Sequence, residues 1–166
     1  MAVRPVVRLP EAVLTRPAVP VVTIDAGAAA LARDLVDTMR ASPACVGLAA
    51  PQIGVGLRAF VVDVSGHKKA ARHHGELVLF NPVLLVAEQP ALGREGCMSV
   101  PDLTGEVRRA TRVVVRGLTG DGTDRVLEVE GFEARAVLHE MDHLDGKTFL
   151  DRVAGHDAVF RRKVYR

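Results

Sequence analysis

The sequence predicts an α+β fold in which antiparallel β-sheets pack around one buried central helix, with an additional helix near the N-terminus. Three observations predict it. An early segment carries apolar residues at helical spacing, a middle stretch breaks into short runs rich in Val and Leu, and a late segment is apolar around most of a helical circumference. The chain has 166 residues, 48% of them hydrophobic and 25% charged. That is enough for one well-buried core and short for two, so residues 1–166 are expected to form one domain.

The first helix is expected from about Ala28, just after Gly27, to Met39. Leu31, Leu35, Val36 and Met39 share one side, and Pro43 lies beyond the end. Strands are expected at Ala59 to Val64, Leu77 to Phe80, Val83 to Val86, Val113 to Val115 and Val126 to Val129. The last two flank Gly120-Asp121-Gly122, a hairpin signal. The final helix should run from Phe132 to Leu144, a stretch without Pro or Gly, between Gly131 as breaker and Gly146 as C-terminal stop. Phe132, Ala136, His139 and His143 fall on one stripe of it, and Ala134, Val137, Leu138, Met141 and Leu144 add apolar contacts around the cylinder. Such a helix belongs inside a domain, so its histidines point into protein.

Residues 139 to 143 of that helix read His-Glu-Met-Asp-His. A four-residue step turns about 400°, so the two imidazoles stack on one face roughly 6 Å apart and can grip a single ion. Glu140 lies about 100° round, too oblique for a third ligand but suited to handling the proton of the water that such an ion activates. A third ligand is needed. One metalloprotease class takes a downstream Glu, yet none follows Glu140; another extends the motif to a third His, and Phe149 occupies that position. Asp145, Asp151, His156 and Asp157 remain as downstream donors without a motif to favour them. Upstream, Cys97 lies in Glu95-Gly96-Cys97-Met98-Ser99-Val100-Pro101, and thiolate is a strong ligand for ferrous iron or zinc. Three protein ligands with a fourth position left to water is the arrangement of a catalytic site.

A third block, Cys45-Val46-Gly47-Leu48-Ala49-Ala50-Pro51-Gln52-Ile53-Gly54, completes a pattern. Taken with Glu95 to Ser99 and His139 to Gly146, in this order and at about these separations, it resembles the peptide deformylases, and the likeness extends from Leu9 to about Arg152. The resemblance implies that residues 1–166 form a single catalytic domain in which Cys97, His139 and His143 bind the metal. It further implies that Glu140 is general base and acid, and that the Gln52 side-chain amide and the Met98 backbone N–H hold the developing oxyanion. Val46 and Gly47 would border the substrate cleft, and Glu95 and Arg109 would form a structural ion pair. The same resemblance implies the substrate, N-formylmethionine at the start of newly made polypeptides, with formate as product. Phe132 and Ala136, on the metal-facing stripe, together with Val46 would suit an apolar pocket for the methionine side chain.

Three positions depart from the family pattern without removing a ligand or Glu140. Cys45 stands where a loop glycine is usual, Met98 replaces Leu, and Leu138 replaces the Gln before the first histidine. Two imidazoles and a thiolate suit zinc and ferrous iron about equally. The resemblance implies Fe(II) in the cell, with Zn(II), Ni(II) or Co(II) able to take its place.

The remaining chain bounds the setting. A net charge of +2 without a basic, aromatic-rich stripe gives no reason to expect DNA binding. No segment reaches the length of a membrane span, Met1 to Pro20 has no continuous apolar core of a signal peptide, and two cysteines suggest free thiols in a reducing compartment. A cytoplasmic protein is expected. The basic loop Gly66 to Gly75 reads as solvated, and the basic tail Phe160 to Arg166 could touch ribosomal RNA, where the implied substrate emerges. Rival readings are a non-catalytic peptide-binding relative and a metal or redox sensor, which would need neither Gln52 nor Glu140.

Overall fold

The computed structural model describes residues 2–162; residues 163–166 of the basic tail lie outside the described residues. The chain forms α1 (Ala26–Arg40), β1 (Gly47–Ala49), β2 (Ala59–Val62), β3 (Leu77–Cys97), β4 (Val100–Leu118), β5 (Asp124–Glu130), α2 (Gly131–Leu144) and β6 (Val159–Arg161), with short 3-10 turns between them. Among the described residues it is an α+β structure with two α-helices and an antiparallel sheet.

Helix α1 begins two residues before the expected start. Asp25 adopts an extended backbone and its side chain accepts from the Ala28 amide at 3.0 Å, which draws Ala26 and Gly27 into the first turn. Such a cap contributes about 1 kcal/mol. The buried Leu31, Leu35 and Met39 face the sheet as their spacing requires.

Separate sheets were expected; instead six antiparallel strands form one sheet in the order β1-β2-β3-β4-β5, with β6 pairing β4. The segments 77–80 and 83–86, expected as two strands, belong to one strand of 21 residues. Asn81-Pro82 resembles a break, but the ladder passes it by a register shift between Phe80 and Val83, so the proline forfeits no paired amide. Asn81, at φ 52°, exchanges two side-chain hydrogen bonds with the backbone of Val21 and so holds the bulge. Expected strand 59–64 ends at Val62, and the three-residue β1 was not anticipated.

Strand β2 shows how the core is divided. All four of its residues are buried, because alternate side chains meet opposite layers. Ala59 and Val61 pack with Leu35, Met39 and Leu48 on the α1 side. Phe60 and Val62 pack with Val137, Met141 and Leu144 of α2. Helix α2 is followed by Gly146 at φ 76°, where a side chain would strike the Arg16 backbone at 2.8 Å. Only glycine fits that stop. No helix among the described residues is long and apolar enough to cross a membrane.

Candidate active site

Cys97 ends β3 at the turn into β4, where it pairs with Val100. This turn brings its sulfur against α2: Cys97 Sγ lies 3.3 Å from His143 Nε2. The two imidazoles of α2 stand 5.1 Å apart between centroids at 71°. One donor atom from each of Cys97, His139 and His143 lies within 4.8 Å of the other two. The candidate third ligands downstream are not part of this group.

Behind His139 stands a buried charge network. The Nδ1–H of His139 donates to Glu95 Oε1 at 2.8 Å, leaving Nε2 turned toward the sulfur. Arg109 grips both Glu95 oxygens at 2.9 Å, Arg135 adds a third contact at 2.7 Å, and Arg109 also reaches Asp142 at 2.5 Å. Burial alone would raise the Glu95 carboxyl; hydrogen bonds from His139 and Arg109 outweigh it and hold the group far below the usual carboxylate range. Burial would likewise discharge His139, yet its contacts with Cys97 and Glu95 pull its pKa well above the ordinary value. His143 has no such carboxylate, and burial pushes it down to about 3. The site therefore attracts positive charge at His139 while keeping His143 as a neutral donor. A cation held by the sulfur and two ring nitrogens would meet both demands, so the residues fit a metal. Glu95 orients the ligand ring from the outer side, as carboxylates do in metal sites.

Glu140 completes the group. It is buried, burial raises its pKa to about 7, and its Oε1 has no hydrogen-bond partner among the described residues. Gly47 makes room for it: a Cβ at that position would lie 2.7 Å from Glu140 Oε2. Gln52, in the 3-10 turn after β1, is fixed at both ends of its amide. Its Oε1 accepts from the Ala49 amide at 3.0 Å, so Nε2 faces Ser99 Oγ at 3.2 Å and Cys97 Sγ at 3.5 Å. The N-terminal strap ties the same two loops together, through Val7 N–H to Gln52 O at 2.8 Å and Leu9 N–H to Ser99 O at 3.0 Å.

The sequence-derived residues converge. Val46, Gly47, Gln52, Cys97, Met98 and Phe132 line one cleft of about 340 Å³, whose wall also includes Ala136, His139 and Glu140. His143, fully buried, lies beneath. Cys45 lies at the same cleft, but its thiol donates to Gly47 O and burial pushes its pKa up to about 11, which suits a space-filling group.

Several neighbours were not anticipated. Arg94, Arg135 and Arg162 also line the cleft. Arg94 is two residues from Gly96 on β3, a spacing that places it on the same face, whereas Arg162 arrives only through the pairing of β6 with β4. The loop expected to be merely solvated docks on α2: His67 stacks on Phe132 at 4.2 Å, and His74 pairs with the buried Glu133 at 2.7 Å.

The α+β fold, with a Cys-His-His donor set beside a buried glutamate, defines a metal-dependent hydrolase. Comparison with known proteins narrows the class. The family model described as polypeptide deformylase matches residues 3–158. A peptide deformylase of Acidothermus cellulolyticus is 46% identical over 153 residues, covering 92% of this chain and 80% of that protein. Peptide deformylase 1 of Bacillus subtilis is 43% identical over 154 residues, covering 93% and 92%. The crystal structure of the Thermotoga maritima peptide deformylase superposes with a TM-score of 0.85 at 31% identity, covering 93% of this chain and all of that one. The chain belongs to the polypeptide deformylase family, hydrolases that act on nascent N-formyl peptides.

Proposed function

We propose that residues 1–166 act as one catalytic domain, with α2 as the central helix carrying the His-Glu-x-x-His motif, that removes formate from N-formylmethionyl peptides. The observation that carries this reading is the meeting of the Cys97, His139 and His143 donors beside a buried Glu140 oxygen without a partner. Fe(II) is the proposed ion in the cell, with Zn(II), Ni(II) or Co(II) as substitutes, since the donor set suits both soft and borderline divalent ions.

Those three side chains would hold a divalent ion, which would supply hydroxide at neutral pH by lowering the pKa of water toward about 7. Glu140 takes the proton of the attacking water at Oε1 and later delivers it to the amine nitrogen leaving the formyl carbon. A buried carboxyl whose Oε1 has no other partner among the described residues is placed to make both transfers. Negative charge gathers on the formyl oxygen as water adds. The Gln52 Nε2–H, held in orientation by the Ala49 amide, and the Met98 backbone N–H donate to it; one such donor is worth about 10²- to 10³-fold in turnover. The methionine side chain occupies the apolar wall of Val46, Phe132 and Ala136, with Gly47 as bare backbone at the floor. Nascent formyl peptides as substrates imply work in the cytoplasm and transient contact with the ribosome.

Formate release from formyl-Met-Ala by protein purified without oxygen, with bound metal measured alongside, tests the reading. Turnover that tracks metal content is expected. Metal-replete protein that leaves formyl-Met-Ala intact but cleaves internal peptide bonds overturns it.

A further inference from the structure

The outer end of the cleft carries more positive charge than hydrolysis of a formyl group needs. Three guanidinium groups line it, and their surroundings differ. Arg135 is committed to Glu95 at 2.7 Å and to the carbonyls of Val107 at 3.0 Å and Ala91 at 2.9 Å. Arg94 lies over the Phe160 ring at 3.9 Å, donates to Thr104 Oγ1 at 3.3 Å, and approaches the exposed Glu106 only to 3.8 Å. Arg162 follows β6, where its backbone amide bonds to Asp102 O at 2.9 Å. Its guanidinium rests directly on Gly96, closely enough that a methyl group there would overlap it. Among the described residues that guanidinium has no hydrogen-bond or ion-pair partner. The glycine is thus a seat for a charged group one residue outward from Cys97.

We infer that Arg162, with Arg94 beside it, forms a carboxylate-binding subsite that favours peptides bearing an acidic group shortly beyond the methionine. The inference rests on the formyl-peptide reading above. A substrate whose formyl carbon lies at Cys97 and Glu140 must leave the cleft past neighbouring backbone, and Gly96 is the position next to the sulfur. Arginine stays charged at any working pH and matches a carboxylate with two parallel donors. Glu106 offsets part of the Arg94 charge, but the cleft's two acidic residues do not cancel that of Arg162, since Glu95 is neutralised by Arg109 and Arg135, and Glu140 lies buried at the inner end. The carboxylate could belong to an Asp or Glu side chain or to the end of a short peptide; both present the same group.

Four peptides separate these sources: formyl-Met-Ala-Asp amide, formyl-Met-Ala-Lys amide, and formyl-Met-Ala-Ser as free acid and as amide. Each is assayed for formate release by the metal-replete protein, and the corresponding deformylated peptides are titrated calorimetrically. The Asp amide should exceed the Lys amide by about two- to fivefold in kcat/KM and in affinity at low salt, shrinking at 0.5 M NaCl. A matching advantage of the free acid over its amide assigns the same site to a chain terminus. Arg162→Glu should bring the Asp-to-Lys ratio to unity or below, and Arg162→Lys should keep it above unity. Equal values for the Asp and Lys peptides, or a preference that Arg162→Glu leaves intact, overturns the inference while the formate assay still supports the hydrolase. A charge preference in binding without any formate release has the opposite meaning: the subsite stands and the deformylase reading falls.

Discussion

Arginine–carboxylate pairs occur in two regions of the β3–β4–β5 ladder, and they are held in opposite ways. Near α2, Arg109 and Glu95 are each 5% exposed and share Asp142, Arg135 and His139 in one closed network. At the outer end, Arg112 bridges Glu88 and Glu128, and Arg116 meets Asp124, with side chains 34% to 57% exposed. The contact distances in the two regions are similar. The surrounding medium differs, and it decides what each pair can do. Water at the outer end already solvates both charges and screens their attraction. The inner network has replaced that water, so removal of one member strands the rest. Glu140 shows a third condition, a carboxyl whose Oε1 has no partner among the described residues, and burial raises its pKa.

The largest effect should come from Glu140→Gln. Formate release should fall by about 10²- to 10⁴-fold or more, since the proton carrier is lost while the metal donors remain. The same change should stabilise the metal-free protein at pH 8. An acid whose native pKa is raised from 4.5 to about 7 weakens the fold as pH rises across that interval, and the amide has no charge to bury. Urea midpoints at pH 4 and pH 8 check it: the two proteins should be equally stable at the lower value and differ at the higher.

Arg109→Met should lower stability by about 3–5 kcal/mol, because Glu95 and Asp142 lose their shared counter-charge inside the protein. Denaturant unfolding measures this. Glu95→Gln leaves a hydrogen-bond acceptor for His139 but removes the charge, so metal affinity should fall about 10- to 100-fold in a chelator competition. The variant should also resist acid better in slope. Glu95 has a depressed native pKa, so its contribution is complete above the ordinary carboxylate pKa and disappears as pH falls below it; without the charge the acid limb becomes shallower. The smallest effect belongs to the outer pairs: Arg116→Ala should leave the melting temperature and metal content unchanged, and a clear loss would show that exposed pairs on this ladder behave like the buried network.

The same division explains how much the sequence disclosed. Residues that carry chemistry in short strings, His139 to His143 and Glu95 to Ser99, announced themselves by spacing, and α1 and α2 followed from periodic apolar positions. Strand β3 escaped because residues 87–94 are mostly exposed, leaving no buried side to alternate with, and because Asn81-Pro82 imitates a terminus. Single-residue contributions that depend on distant pairing left no local trace. Asp142 under Arg109, Ser99 under Gln52 and Arg162 on Gly96 each join elements dozens of residues apart in sequence. The loop at 66–75 looked idle for the opposite reason: its composition is polar, yet His67 and His74 use that polarity to dock against α2.

The donor group spans Cys97 to His143, and the turn that finishes α2 includes a bond from the amide of Lys147 to Asp142 O. During synthesis, therefore, no nascent fragment that ends before His143 holds all three donors, even though the strap residues Val7 and Leu9 leave the ribosome first. Closing contours of this length is costly in chain entropy and slow relative to local folding. Metal loading should thus report on completed tertiary assembly, so that the bound ion marks a finished molecule rather than guiding its early collapse.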